Sequence, residues 1–145
     1  MNKITTPIHR AARIGATIAA ALFTLVALFQ LAVVLGAPLG ELTQGGANKS
    51  TLPTQGRIFA GVSAALVLVM AAAILARTER GPLRFAPRRL IAALAWITTA
   101  YAGVGVILNL ITPSVVERAV WAPVTAVMFA ACIVTMLLTR GRAAK

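Results

Sequence analysis

The sequence predicts an all-α fold, a bundle of four transmembrane helices arranged as two helical hairpins. Of its 145 residues, 59% are hydrophobic and only 12% are charged, a balance typical of a chain in contact with lipid. Four apolar stretches without Lys, Arg, Asp or Glu each approach or exceed the roughly 20 residues that a helix needs to cross a bilayer. The basic residues are confined to the segments between these stretches.

The four predicted spans lie in one integral membrane domain, residues 1–145. They cover residues 14–35, 58–76, 90–111 and 119–138. Backbone polar groups in hydrocarbon must be paired within their own segment, so each span is expected to be helical. The first run is longer than the apolar core of a signal peptide, and Pro38 directly follows its small-residue end. We therefore expect the first span to be retained as a helix.

The distribution of Lys and Arg predicts the orientation of the chain. Eleven of the 14 lie in the two terminal segments and the connection 77–89, whereas only Lys49, Arg57 and Arg118 lie in the other two connections. Because basic flanks resist translocation, we expect both termini to be cytoplasmic, with residues 36–57 on the outer side. The cytoplasmic charges should also attract the anionic headgroups of membrane lipids, without a dedicated pocket.

Composition argues against several classes of function. The net charge of +11 would suit nucleic-acid binding only if the basic residues formed one soluble surface, so no nucleic-acid partner is expected. The chain has one Cys, one His and no Asp, which leaves no metal-ligand cluster, and no cofactor is expected. The plausible catalytic cluster lacks a histidine, because His9 is expected on the opposite side of the membrane, so we assign no catalytic residue and expect no enzyme; the cluster consists of Glu41, Arg57, Ser114, Glu117 and Arg118.

A transporter driven by protons usually has an ionisable residue inside the bundle, and these spans have none. The small four-helix drug exporters, which are similar in length, depend on an acid in the first span, where this chain has only Gln30. Transport is therefore a secondary interpretation.

The third span has a polar face. At 100° per residue, Thr98, Tyr101, Gly105 and Asn109 fall within an arc of about 80°. We expect this face to point inward, with Asn109 in an interhelical hydrogen bond and Tyr101 bonded to another helix or to Thr98. The fourth span has a milder counterpart, formed by Thr125, Met128, Cys132 and Thr135. Such faces serve either as packing interfaces, which we favour, or as the wall of a small cavity.

The first outer connection, residues 36–57, is too long for a passive turn between two antiparallel helices. Its leucines, prolines and glycines favour a folded segment rather than a disordered one. We expect it to cover the outer mouth of the bundle, with Glu41 paired to Arg57 or Arg118.

The second outer connection carries the signal of a helix start. Ser114 followed by Glu117 forms a capping box, which predicts that the last helix begins near Val115. Trp121 is expected in the aromatic belt at the membrane interface.

The same regions carry a resemblance. Residues GAPLGE (36–41), GG (45–46), LP (52–53) and NLITPSVVERAVWAPV (109–124) resemble a group of small bacterial four-helix membrane proteins without an assigned function. The resemblance covers most of the chain, from the end of the first helix into the fourth. It implies a multi-pass protein of the bacterial plasma membrane and no particular activity.

Two functions follow as expectations. The first is a non-enzymatic structural or interaction component, acting as a homo-oligomer or with a membrane protein partner. The alternative is a carrier or receptor that binds a small amphipathic or lipid-like molecule between the bundle and the outer loop. The candidate cluster for either role is Glu41, Arg57, Tyr101, Asn109, Glu117, Arg118 and Trp121.

Overall fold

The computed structural model describes residues 7–140. It contains four long helices, α1 (Pro7–Val34), α2 (Thr54–Ala76), α3 (Arg88–Ile111) and α4 (Val115–Leu138), with short 3-10 helices in the connections. Each long helix is long and apolar enough to cross a membrane. The predicted all-α architecture of four such helices is therefore confirmed. Three residues of the charge count, Lys3, Arg142 and Lys145, lie outside the described residues.

The helices extend beyond the charge-free runs at their N-terminal ends. α1 begins at Pro7 and includes Arg10 and Arg13, and α4 begins at Val115 and includes Arg118. Helical hydrogen bonding does not depend on an apolar side chain, and a long basic side chain can keep its charged head outside an apolar layer. A charge therefore limits the apolar run but does not end the helix.

The connections place the helix ends in two groups. We call one group the loop end: it contains the ends Val34 and Ile111, the starts of α2 and α4, and the connection 35–53. The opposite group, the arginine end, contains the start of α1, the connection 77–87 and the end of α4. α1 packs mainly on α2 and α4, while α3 packs mainly on α4 and less on α2. α1 and α3 are thus diagonal neighbours.

The half of the bundle near the arginine end is closely packed. α1 and α4 approach each other at Gly15, where a Cβ atom would lie 2.8 Å from the Thr135 hydroxyl and 3.1 Å from the Ala131 carbonyl oxygen. Thr135 is fully buried and donates to Ala131 in its own helix at 2.8 Å. The predicted inward face of the fourth span is confirmed, since all four of its members are buried: Thr125, Met128, Cys132 and Thr135.

Arginines bond to carbonyl oxygens at the C-terminal ends of three helices, which have no partner inside their own helix. The pairs are Arg57 Nε to Val34 at 2.8 Å, Arg77 Nη2 to Thr139 at 2.7 Å, and Arg118 Nη1 to Thr112 at 3.1 Å. Arg77 is only 7% exposed and also donates to the Thr139 hydroxyl at 3.0 Å. Each contact joins a helix end to a side chain from a neighbouring segment.

Candidate functional site

Residues 35–53 fold into a cap over the loop end. The cap contains two single turns of 3-10 helix, Gly40–Leu42 and Gln44–Gly46. The Gly40 amide donates to Ser50 at 2.9 Å, which closes the cap on itself. Leu52 is 4% exposed and packs in a small apolar cluster with Val33 and Ala60. The predicted folding of residues 36–57 over one end of the bundle is confirmed for the part up to residue 53, whereas residues 54–57 form the first turn of α2.

Side chains of α4 and its N-cap fix the cap in place. Trp121 Nε1 donates to the Leu42 carbonyl at 2.7 Å, and Ser114 Oγ donates to the Glu41 carbonyl at 3.1 Å. Gly46 has a φ of 67° and lies so close to Ser114 that a Cβ would come within 2.6 Å of the serine Cβ. Only glycine meets both requirements at this position.

The prediction that Glu41 forms an ion pair with Arg57 or Arg118 is wrong. The Glu41 side chain is exposed, and within residues 7–140 no ion pair joins it to Arg57 or Arg118. Those arginines instead bond to Val34 and Thr112 at two helix ends. An exposed ion pair contributes only about 0–1 kcal/mol. A carbonyl at a helix end has no partner inside its own helix, so the arginines bond to these carbonyls instead of to Glu41.

A cavity of about 190 Å³ lies between the cap and the bundle. All four helices line it in their half near the loop end or at mid-length, and Leu42 and Thr43 of the cap also line it. Its aromatic wall includes Phe29 and Trp121, whose rings meet edge to face with centroids 4.8 Å apart. Its polar lining includes Gln30, Tyr101, Asn109, Glu117 and Thr125.

The polar face of α3 borders this cavity, but its details differ from the prediction. The buried face is rotated toward Ala95 and Ala102, so Tyr101 lies at its edge and is 39% exposed. Small alanines allow closer helix approach than a tyrosine does, which explains the rotation. Within the described residues, the Tyr101 hydroxyl makes no hydrogen bond. Asn109 Nδ2 donates to Gly105 in its own helix at 2.8 Å, so the predicted interhelical bond is wrong.

Glu117 is half-buried at the top of the cavity. Its amide donates to Ser114 Oγ at 3.1 Å, which confirms Ser114 as the N-cap and Val115 as the first residue of α4. Its carboxylate oxygen Oε2 accepts from Thr112 Oγ1 at 3.1 Å rather than from the Ser114 amide. Half of the predicted capping box is therefore present, and the carboxylate remains available to the cavity.

Gln30 supplies the most unusual atom of the site. Its side-chain oxygen is buried, and no hydrogen-bond donor among the described residues reaches it. Leaving a buried acceptor without a partner costs about 1–3 kcal/mol. The sequence contained a signal for this residue, because Gln30 is the one amide side chain in the first span.

Four of the seven candidate residues line the cavity, namely Tyr101, Asn109, Glu117 and Trp121. Glu41, Arg57 and Arg118 do not. Gln30 and the cap residues Leu42 and Thr43 were missing from the candidate cluster. Positions in the cap cannot be found from helical periodicity.

A second, basic pocket of about 470 Å³ lies on the surface at the arginine end. Its charged lining within the described part of the chain consists of Arg10, Arg13 and Arg80, with no acid. Arg80 Nη2 donates to the Arg13 carbonyl at 2.8 Å and to Thr17 Oγ1 at 3.1 Å. Burial, and secondarily the positive charge of Arg13, lower the pKa of Arg80 below its ordinary value. An anion here would relieve the repulsion between like charges.

The described part of the chain holds no group of three His, Cys, Asp or Glu side chains placed to bind a metal ion. Comparison of the chain with protein-family models, with curated proteins and with solved structures gives no match.

Proposed function

We propose that this chain is a non-enzymatic, multi-pass protein of the bacterial plasma membrane that binds a small amphipathic molecule beneath the cap. One observation carries the proposal: the buried, unpartnered oxygen of Gln30 borders a cavity that the cap covers. A bound molecule with a hydrogen-bond donor would satisfy this oxygen, and the aromatic wall would contact the apolar part of the same molecule.

The volume sets the size of the ligand. Drug-sized ligands occupy pockets of about 300–1,000 Å³, whereas a cavity of about 150 Å³ can hold a single benzene ring. At about 190 Å³, this site suits a compact molecule with one ring or a short chain. This geometry favours the carrier or receptor role over a purely structural one.

Native mass spectrometry of the protein released from mild detergent tests the proposal. We expect a small-molecule adduct on the wild type, or binding of an added single-ring alcohol, and loss of both in Gly105→Leu. Gly105 lines the cavity, and a Cβ there would meet nothing closer than 3.9 Å, so the larger side chain fills space without a clash at its root.

Gly61→Leu is the matched control, because Gly61 lies in a helix away from the cavity and its Cβ would have ordinary contacts at 3.6 Å. Absence of any bound small molecule from the wild type, or equal binding by both variants, would overturn the proposal.

The proposed orientation has cytoplasmic termini and an outward-facing cap. It rests on the excess of Lys and Arg at the arginine end. Reporter fusions within residues 77–87 should report the cytoplasm, and a fusion at Asn48 should report the outside. The opposite pattern would reverse the orientation. In the proposed orientation, the pocket of Arg10, Arg13 and Arg80 lies where anionic lipid headgroups are available.

A structural or interaction role remains the second candidate, and a surface groove between α1 and α4 favours it. The groove has a volume of about 360 Å³ and is almost entirely apolar, with Ala11, Gly15 and Ala130 among its lining residues. Small residues allow close helix approach in a membrane, and a two-fold dimer would place the same groove on both copies. Ala130→Leu should abolish a dimer seen in the same mass spectra. A wild-type protein that is only monomeric would exclude this role for the groove.

A further inference from the structure

Some of the hydrogen-bond donors that line the cavity already have a partner, whereas several of the acceptors do not. Three donors that line it already bond to backbone carbonyls: Trp121 Nε1 to Leu42, Asn109 Nδ2 to Gly105, and Thr125 Oγ1 to Trp121. The acceptors are less occupied. The Gln30 oxygen has no partner, and Asn109 Oδ1 and Glu117 Oε1 receive no hydrogen bond within residues 7–140.

The charge of the cavity has one sign. Among residues 7–140, Glu117 is the one carboxylic acid that lines the cavity, and no Lys or Arg of this range lines it. The two arginines in the first turns of α2 and α4, Arg57 and Arg118, bond to the carbonyls of Val34 and Thr112. A carboxylate beside apolar walls and without a basic partner attracts a cation more strongly than it would in water.

The other polar groups that line the cavity add no positive charge to it. The Gln30 amide nitrogen and the hydroxyls of Thr43 and Tyr101 are lining donors without a bond to the described residues, and none of them carries a positive charge. The Phe29 and Trp121 rings, which meet edge to face, add faces rich in π electrons. Such faces attract an ammonium group placed within about 6 Å of the ring centre.

We infer that the ligand beneath the cap is a small organic cation, a primary or substituted ammonium carried on a compact apolar group. The ammonium would lie between Glu117 and Gln30, and its apolar group would contact the aromatic wall. This inference rests on the proposed binding function and specifies its ligand class. It requires no covalent step and no metal.

Three single-ring probes of nearly equal size test the charge preference: benzylammonium, benzyl alcohol and benzoate. Binding to the detergent-purified full chain is measured by isothermal titration at neutral pH. We expect benzylammonium to bind about tenfold more tightly than benzyl alcohol, since charge-assisted hydrogen bonds are roughly twice as strong as neutral ones. Benzoate should bind most weakly, because its carboxylate would face Glu117.

Glu117→Gln should abolish the preference for the cation, so that benzylammonium binds no more tightly than benzyl alcohol to the same variant. The amide can still accept from Thr112, so the start of α4 is preserved. Glu41→Gln is the matched control, because it removes an exposed acid from the same end without changing the cavity. The ranking of the three probes on the wild type needs no variant and tests the inference even if Glu117→Gln does not fold.

The outcomes separate this inference from the proposed function. Equal binding of cation and alcohol, or strongest binding of benzoate, overturns the cation preference, while alcohol binding that Gly105→Leu abolishes still supports a binding cavity. Failure of all three probes also overturns the inference. In that case a small-molecule adduct in native mass spectra, absent from Gly105→Leu, would preserve the proposed function.

Discussion

The two halves of the bundle differ in the size of the residues that lie between their helices. Near the arginine end, alanines, Gly15 and threonines bonded to their own helices bring α1, α2 and α4 into close contact. Near the loop end, larger aromatic residues and Gln30 surround a cavity of about 190 Å³. Small residues give close helix contact, whereas bulky ones separate the helices and create space. The half near the arginine end therefore leaves little space between α1 and α4, whereas the half near the loop end has room for a small molecule.

The largest expected effect on stability comes from substitution of Arg77, whose buried guanidinium lies at the arginine end. Arg77→Met removes the hydrogen bonds to the Thr139 carbonyl and hydroxyl, and we expect the free energy of unfolding to fall by about 3 kcal/mol. Denaturation in mixed detergent micelles measures this loss. The exposed Arg89→Met serves as control and should change the value by less than about 0.5 kcal/mol. Equal effects of the two substitutions would show that the Arg77 contact contributes nothing.

A pair of glycine substitutions compares the two halves directly. Gly15→Ala places a methyl group 2.8 Å from the Thr135 hydroxyl, and overpacking of this kind costs about 1–3 kcal/mol. Gly105→Ala meets no atom closer than 3.9 Å and should stabilise its helix by about 0.5–1 kcal/mol. Thermal unfolding of both variants in one detergent provides the test. The same sign of change at both sites would contradict the contrast between the halves.

The attachment of the cap should have a smaller effect. Trp121→Phe keeps an aromatic ring at this position but removes the hydrogen bond to the Leu42 carbonyl, which contributes about 1 kcal/mol to stability. Limited proteolysis between Gln44 and Ser50 should become faster, because exposed loops are cleaved once they open. Trp96→Phe, on the outside of α3 and away from the cap, is the control. An unchanged cleavage rate in Trp121→Phe would mean that the indole does not hold the cap.

The smallest effect on stability is expected at Gln30. Gln30→Leu removes an unpartnered oxygen, so unfolding should become harder by up to about 1 kcal/mol even though a polar group is lost. The same variant should bind benzylammonium at least several-fold more weakly in titration. Gain in stability together with loss of binding would separate the function of this residue from folding. Loss of both would instead identify Gln30 as a packing residue.

Much of the fold was predictable because apolar runs and helix starts are local signals. The four runs predicted four helices, and the capping signal of Ser114 located the first residue of α4 at Val115. The convergence of Tyr101, Asn109, Glu117 and Trp121 on one region was also anticipated as a single cluster.

The hydrogen-bond partners of individual polar side chains were less predictable. Each side chain can bond to several groups, and the sequence does not show which of them lies within reach. Asn109 bonds to its own helix, where the Gly105 carbonyl lies one turn away. Glu41 was expected to pair with an arginine on the basis of charge alone, but the arginines bond to carbonyls whose positions depend on where each helix ends. The rotation of α3 that exposes Tyr101 depends on packing against α4 and is likewise not encoded locally.

Three of the four long helices end at a carbonyl held by an arginine, in a chain with 14 basic side chains and only three acids. A guanidinium offers several N–H donors in a fixed planar arrangement, and a peptide carbonyl carries no net charge, so these contacts are hydrogen bonds rather than ion pairs. A bundle fastened by carboxylates would loosen as its environment became acidic. None of the three contacts includes a carboxylate, so acidification that protonates carboxylates should leave them in place.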